Sequence, residues 1–198
     1  MLAVDPAVHG ALRAALALLL LSSAGHKLHD FSAFRNAVAG YGLVPSRWLT
    51  VAALLLVGLE LGTGVSLVAP GLGGGPAYAA AALLATYTGA IAIALQRGGR
   101  GIDCGCAGTA GGVPLGRGLI IRNFGLMGLA LGAALPTAAR SMTWLDAFTM
   151  AATLGTLMLL YASADHALAN AARLRALTRP HIIDDAAGVP EGGEWSTP

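Results

Sequence analysis

Residues 48–69 read WLTVAALLLVGLELGTGVSLVA, a run of 22 residues in which Glu60 is the only ionisable side chain. A bilayer core of about 30 Å needs about 20 apolar residues at a rise of 1.5 Å each, so this run is long enough to cross a membrane as one helix. Four further apolar runs occur, at 8–25, 77–96, 119–135 and 144–164. The pattern predicts an all-α, polytopic bundle of four to five transmembrane helices.

The composition excludes a water-soluble domain. Charged residues make up 11% of the 198 residues and hydrophobic ones 56%, whereas a soluble domain has about 25% charged residues. The net charge is only +2 and basic residues form no run that could follow a phosphate backbone, so nucleic acid is not a predicted partner. We expect one membrane domain at 1–178 and a disordered, acidic tail rich in Gly and Pro at 179–198.

The segment between the first two runs has the pattern of a short amphipathic helix. In residues 27–47, Phe31, Phe34, Val38 and Tyr41 recur at a spacing of three to four. Charged side chains lie elsewhere on the helical wheel, which is typical of a helix at the membrane interface.

A cysteine pair lies in a glycine-rich stretch between the third and fourth runs. Residues 98–118 read GGRGIDCGCAGTAGGVPLGRG and hold both cysteines of the chain, Cys104 and Cys106. With one residue between them, the two sulfurs can close a small ring that is reduced more easily than a structural disulfide, so the pair favours redox exchange. Inert cysteines are the plainer alternative. Half of a zinc site is another, but zinc usually takes four ligands and no second pair exists, so no metal site is predicted.

Glu60 lies in the middle of an apolar run, where an ionised group costs about 2.5 kcal/mol or more. It should therefore face the interior of the bundle and find a partner there. Lys27, at the end of the first run, and Arg122 with Asn123, at the start of the fourth, are the candidate partners. A structural role and a functional role are both open for these four residues.

The chain resembles the methylamine utilisation protein MauE family in an ordered series of short motifs over residues 12–135. They are AGHKL at 24–28, Phe34, YGLVP at 41–45, LELG at 59–62, RGIDCGCAG at 100–108 and IRN at 121–123. One departure is Ala107, where the family often has an aromatic residue.

The resemblance implies a DoxX-like bundle in the bacterial inner membrane. It further implies a role in maturation or transport of the disulfide-rich small subunit of methylamine dehydrogenase, beside a thioredoxin-like partner, MauD. The family's cysteine pair corresponds to Cys104 and Cys106 and its intramembrane glutamate to Glu60. Its lysine corresponds to Lys27, and its Arg-Asn pair is matched at 122–123.

Basic residues are distributed unevenly between the connections. Most lie in the first connection, the third connection and the tail, namely Lys27, Arg35, Arg47, Arg97, Arg100, Arg117, Arg173, Arg175 and Arg179. The positive-inside rule then places the cysteine pair in the cytoplasm. Disulfide formation in an exported protein would be simplest with the pair outside, so the two indications conflict and the side is left open.

The leading hypothesis is a membrane thiol-disulfide relay in which a thiolate of the pair attacks a disulfide of its partner. No nucleotide-binding motif occurs, so no soluble cofactor is predicted, and a quinone near Glu60 and Arg122 is the electron acceptor considered. Two alternatives stay open. One is a non-catalytic membrane assembly factor, and the other is a DoxX-type quinone-linked oxidoreductase subunit.

Overall fold

A computed structural model describes residues 4–98, 116–138 and 140–177, and helices dominate these three stretches. They are α1 (Pro6–His29), α2 (Phe31–Gly40), α3 (Leu49–Val68), α4 (Gly75–Gln96), α5 (Arg117–Ala133) and α6 (Trp144–Leu177), with one 3-10 turn at Ser46–Trp48. Most of the predicted cysteine loop, at 99–115, and the tail beyond 177 lie outside the described residues.

Within the described residues, four stretches have the length and hydropathy of membrane spans: Pro6–His29, Ser46–Val68, Gly75–Gln96 and Trp144–Ala171. The predicted span at 119–135 corresponds to α5, which is shorter at 17 residues. The predicted all-α, polytopic bundle of four to five spans is thereby confirmed. The chain is a multi-pass membrane protein.

Contacts near the helix termini give the directions of the helices. Gly10 of α1 lies against Met150 of α6, so these two helices begin at the same end of the bundle. Gly74, just before α4, lies against Ala134, just after α5. Helix α4 therefore begins where α5 ends, and the two run antiparallel.

The other end of the bundle, where α4 ends at Gln96 and α5 begins at Arg117, is called the loop end here. Ile91 of α4 and Leu119 of α5 are buried in one apolar cluster at this end, and Tyr41 packs against it. The two helix termini that flank the cysteine-containing connection therefore lie side by side.

Small side chains bring the central helices close together, as is common in lipid. Leu16 and Leu20 of α1 are buried against Leu67 of α3 and Ala80 of α4. A Cβ atom at Gly64 of α3 would lie 2.8 Å from Leu21 Cγ of α1, closer than two such atoms can approach. The contact between α1 and α3 therefore depends on glycine at this position.

The amphipathic helix predicted between the first two spans is α2. Its Phe34 and Val38 are buried against Ala24 of α1 and Val57 of α3. Asp30 begins the helix by accepting a hydrogen bond from the Ala33 N–H at 3.0 Å, which satisfies one of the amides that a helix leaves unpaired at its start.

Arg13 connects α1 to the C-terminal end of α3. Its guanidinium donates to the Leu67 carbonyl at 2.6 Å and to the Gly73 carbonyl at 2.8 Å. Carbonyls at the end of a helix lack intrahelical donors and carry partial negative charge, so a cation is favourable there.

The N-terminal segment is attached to the connection between α5 and α6. Val4 donates to the Pro136 carbonyl and accepts from the Ala138 N–H, both at 2.9 Å. Arg140 donates to both carboxylate oxygens of Asp5 at 2.9 Å and to Asp146 Oδ2 at 2.8 Å. One guanidinium thereby ties the starts of α1 and α6 together.

Asp5 makes this attachment sensitive to acid. The Ala7 N–H, which donates to Asp5 at 2.9 Å, and secondly the Arg140 guanidinium hold the pKa of the Asp5 carboxyl below its ordinary value. A carboxyl with a lowered folded-state pKa stabilises the fold above the unfolded-state pKa of about 4. This contribution is lost as the pH falls through the folded-state pKa.

We expect Asp5→Asn to lower the melting temperature by on the order of 2 °C at pH 7, because an amide loses the charge that Arg140 pairs with. Thermal unfolding in detergent between pH 3 and pH 7 measures this. The difference from wild type should shrink as the pH falls below about 4 toward the lowered folded-state pKa of Asp5. An equal difference at both ends of the range would contradict this account.

Candidate functional site

A buried ion pair joins α1 to α3. Lys27, the only lysine of the chain, lies near the end of α1, and Glu60 lies in the middle of α3. The Lys27 Nζ contacts Glu60 Oε1 directly, and both side chains are only 1% exposed. The prediction that Glu60 finds a partner inside the bundle is confirmed, and that partner is Lys27.

Two neutral hydroxyl groups complete the surroundings of this pair. The Tyr87 hydroxyl of α4 donates to Glu60 Oε1 at 2.8 Å and the Ser23 hydroxyl of α1 donates to the same oxygen at 3.3 Å. Lys27 Nζ also donates to the Tyr87 oxygen at 3.2 Å. Three donors from two helices therefore converge on a single carboxylate oxygen of the third.

Aromatic rings cover the ammonium group of Lys27. Its Nζ lies 4.7 Å from the centre of the Tyr87 ring and 4.9 Å from that of Phe34. The negative faces of aromatic rings attract a cation at such distances. The positive charge of Lys27 is therefore stabilised by a carboxylate and two aromatic rings, without contact with water.

A second ion pair joins α5 to α6. The Arg122 guanidinium contacts Asp165 Oδ1 directly and lies 5.4 Å from the centre of the Tyr161 ring. Arg122 also donates to the Tyr161 hydroxyl at 3.4 Å. Arg122, considered from the sequence as a partner for Glu60, therefore pairs with a carboxylate on the last helix instead.

A small cavity lies between the two ion pairs. It has a volume of about 30 Å³ and its polar lining consists of Ser23, Glu60, Tyr87, Arg122, Asn123 and Tyr161. Asn123 is buried. The fold therefore brings Glu60, Arg122 and Asn123 to one cavity, although Glu60 is far from the other two in the sequence. Lys27 contacts this cavity indirectly, through its ion pair with Glu60.

The cysteine pair, Cys104 and Cys106, lies outside the described residues. The polar cluster can still be placed relative to the loop end, because Tyr87 precedes the last residue of α4, Gln96, by nine positions. At a rise of 1.5 Å per residue the cluster lies about 14 Å below that end. It is therefore inside the membrane-spanning part of the bundle.

Sequence reasoning missed Tyr87, Tyr161 and Asp165 as members of the cluster. Tyr161 and Asp165 are four residues apart, and this spacing places two polar side chains on one face of an otherwise apolar helix. That pattern could have indicated a polar contact for α6. Tyr87 lies among apolar and small residues and gave no comparable signal.

Removing Lys27 alone should be severely destabilising. Lys27→Met leaves Glu60 as a buried charge without its counter-ion, and breaking a buried pair costs about 3–5 kcal/mol. The double variant Lys27→Met with Glu60→Gln should recover most of this loss, because it buries no unpaired charge.

Reversible unfolding in mixed micelles measures both variants. Arg35→Met is the matched control, since Arg35 lies on α2 with an exposed side chain, and it should change stability little. Equal stability of the single and double variants would contradict the electrostatic explanation.

Tyr87→Phe tests the hydroxyl separately from the ring. The variant keeps the aromatic face over Lys27 but removes the donor to Glu60 Oε1, so we expect a loss of about 1 kcal/mol in the free energy of unfolding. Tyr78→Phe on the same helix is the control, because Tyr78 is exposed. If both variants unfold alike, the Tyr87 hydroxyl does not stabilise the pair.

Comparison with known proteins identifies the family. The family model for the methylamine utilisation protein MauE matches residues 5–136. The methylamine utilization protein MauE of Paracoccus denitrificans is 37% identical over 81% of this chain and 87% of its own length. Those of Methylophilus methylotrophus and Methylorubrum extorquens are 34% and 36% identical over the same 81% of the chain, covering 86% and 87% of the relatives.

No solved structure matches this chain. The family match includes α1 to α5 and therefore all four residues that the polar cluster draws from α1, α3 and α4. It confirms the family resemblance stated from the sequence motifs. The chain belongs to the MauE family of membrane proteins involved in methylamine utilisation.

Proposed function

We propose that this chain is a thiol-disulfide relay of the bacterial inner membrane, with Cys104 and Cys106 as its reactive pair. It would act in the maturation or transport of an exported protein that contains disulfides. The observation that carries the proposal is the position of the only two cysteines among 198 residues. A single residue, Gly105, separates them in the connection between two adjacent membrane helices.

The fold supports this proposal through the flanks of the connection. Helices α4 and α5 pack against each other beside the loop end through Ile91 and Leu119. A connection held at both of its ends can present a short cysteine motif to a partner outside the lipid. Membership of a family named for methylamine utilisation is consistent with such an auxiliary role.

The chemistry needs two consecutive exchanges. A thiolate of the pair attacks a disulfide of the partner, so that one S–S bond breaks, one mixed disulfide forms and the departing sulfur takes up a proton. The neighbouring thiol, once deprotonated, then displaces the second partner sulfur. The Cys104–Cys106 disulfide forms, and the partner becomes a dithiol that has gained two electrons and two protons.

The reverse sequence oxidises a dithiol of the exported protein. The cysteine pair then holds two electrons and must pass them on before the next cycle. We propose a thioredoxin-like protein, of the MauD kind, as the acceptor, because its own disulfide can take both electrons by the same exchange chemistry.

Replacing both cysteines by serine should abolish the relay. We expect each single variant, Cys104→Ser or Cys106→Ser, to lower the yield of correctly disulfide-bonded partner at least ten-fold, because one sulfur cannot close the intramolecular disulfide. One of the two should also accumulate mixed disulfides, visible on non-reducing gels. The cysteine that remains in the variant with mixed disulfides is the attacking one.

Ala107→Ser is the matched control, because it alters the same stretch without touching sulfur, and it should keep the wild-type yield. If the double cysteine variant also keeps that yield, the chain is a non-catalytic assembly factor. Labelling single cysteines with a membrane-impermeant maleimide in intact cells, after mild reduction, identifies the compartment that the pair faces.

A further inference from the structure

The second carboxylate oxygen of Glu60 is buried without a donor. Oε1 accepts from Lys27, Tyr87 and Ser23, whereas Oε2 has no hydrogen-bond partner among the residues that the structure describes. A buried acceptor left unsatisfied costs about 1–3 kcal/mol, and more when it carries charge. Native structures almost always satisfy such a group through protein or ordered water.

The small polar cavity at Glu60 can hold that missing donor. Empty cavities in proteins are apolar, whereas six of the ten residues that line this one are polar and the other four are leucines. Such a lining attracts a molecule that both donates and accepts hydrogen bonds.

The volume of the cavity indicates which molecule it can hold. The cavity volume of about 30 Å³ is enough for one or two water molecules, since each needs at least roughly 10–15 Å³. A quinone ring is at least as large as benzene, which occupies a cavity of roughly 150 Å³. The cavity therefore fits water and is several times too small for a quinone.

We propose that one or two water molecules occupy this cavity and that one of them donates to Glu60 Oε2. Arg122 and Asn123 of α5 line the same cavity. Water at this position would thereby link the Lys27–Glu60 pair of α1 and α3 to the Arg122–Asp165 pair of α5 and α6. The polar cluster is then one hydrated network inside the membrane.

A structure of the full chain in lipid nanodiscs, at a resolution that shows ordered water, tests the site directly. We expect water density within hydrogen-bonding distance of Glu60 Oε2 in the wild type and its loss in Asn123→Leu, which replaces a buried amide lining the cavity by an apolar side chain. Absence of density in the wild type would overturn the proposal. Elongated density from a lipid or quinone would overturn it equally.

A double-mutant cycle provides a measurement in solution. If water connects Glu60 to Asn123, the effects of Glu60→Gln and Asn123→Leu on the unfolding equilibrium should be non-additive by at least roughly three-fold. Thr88→Val is the control partner for Glu60→Gln, because Thr88 is a buried polar residue of α4 that does not line the cavity, and this pair should be additive. Additive effects at Glu60 and Asn123 would argue against a shared water.

This result is independent of the proposed relay. The cysteine variants are scored by disulfide formation in a partner, whereas the cavity is scored by density and by stability. Loss of either proposal therefore leaves the other standing.

Discussion

The Lys27–Glu60 ion pair is the interaction on which the arrangement of the first helices depends. Hydrocarbon provides no water to solvate either charge, so each must find its partner within the bundle. Because Lys27 is near the end of α1 and Glu60 is in the middle of α3, the pair forms in only one register of the two helices. Tyr87 brings α4 into the same contact by donating to the same oxygen.

Charged contacts also hold the last helix, which has little apolar burial. No residue in the most apolar 18-residue stretch of the α6 span is buried within the described bundle, so dispersion and close packing contribute less to its attachment than to that of α1. Arg140 binds Asp146 at its beginning, and Arg122 binds Asp165 toward the loop end. Two ion pairs near opposite ends of a lipid-facing helix can fix its position without a continuous apolar interface.

The sequence predicted the spans well because their signal is local. A run of about 20 apolar residues has few alternatives to a transmembrane helix, and the observed boundaries of α3 and α4 lie close to the predicted 48–69 and 77–96. The amphipathic spacing of Phe34 and Val38 predicted α2 for the same reason. These features depend on neighbouring residues only.

The partners of the buried charges depend on helix packing and could be predicted only in part from the sequence. Glu60 demanded a cation, but charge alone could not distinguish Lys27 from Arg122, since both lie near ends of spans. The choice follows from which helices are neighbours: α3 packs against α1, and α5 shares its charged contact with α6. Asp165 was overlooked because it follows an apolar run and looked like the exit of the last span.

The depth of the polar cluster separates it from the surface that a water-borne partner protein can reach. Thiol-disulfide exchange requires two sulfur atoms in bonding contact, and a water-borne partner protein reaches the bundle only at its ends. The Lys27–Glu60 pair lies about 14 Å inside the loop end along α4 and is enclosed by two aromatic rings. Its contribution to the proposed relay would therefore be indirect, by keeping α4, which is one flank of the cysteine-containing connection, in register with α1 and α3.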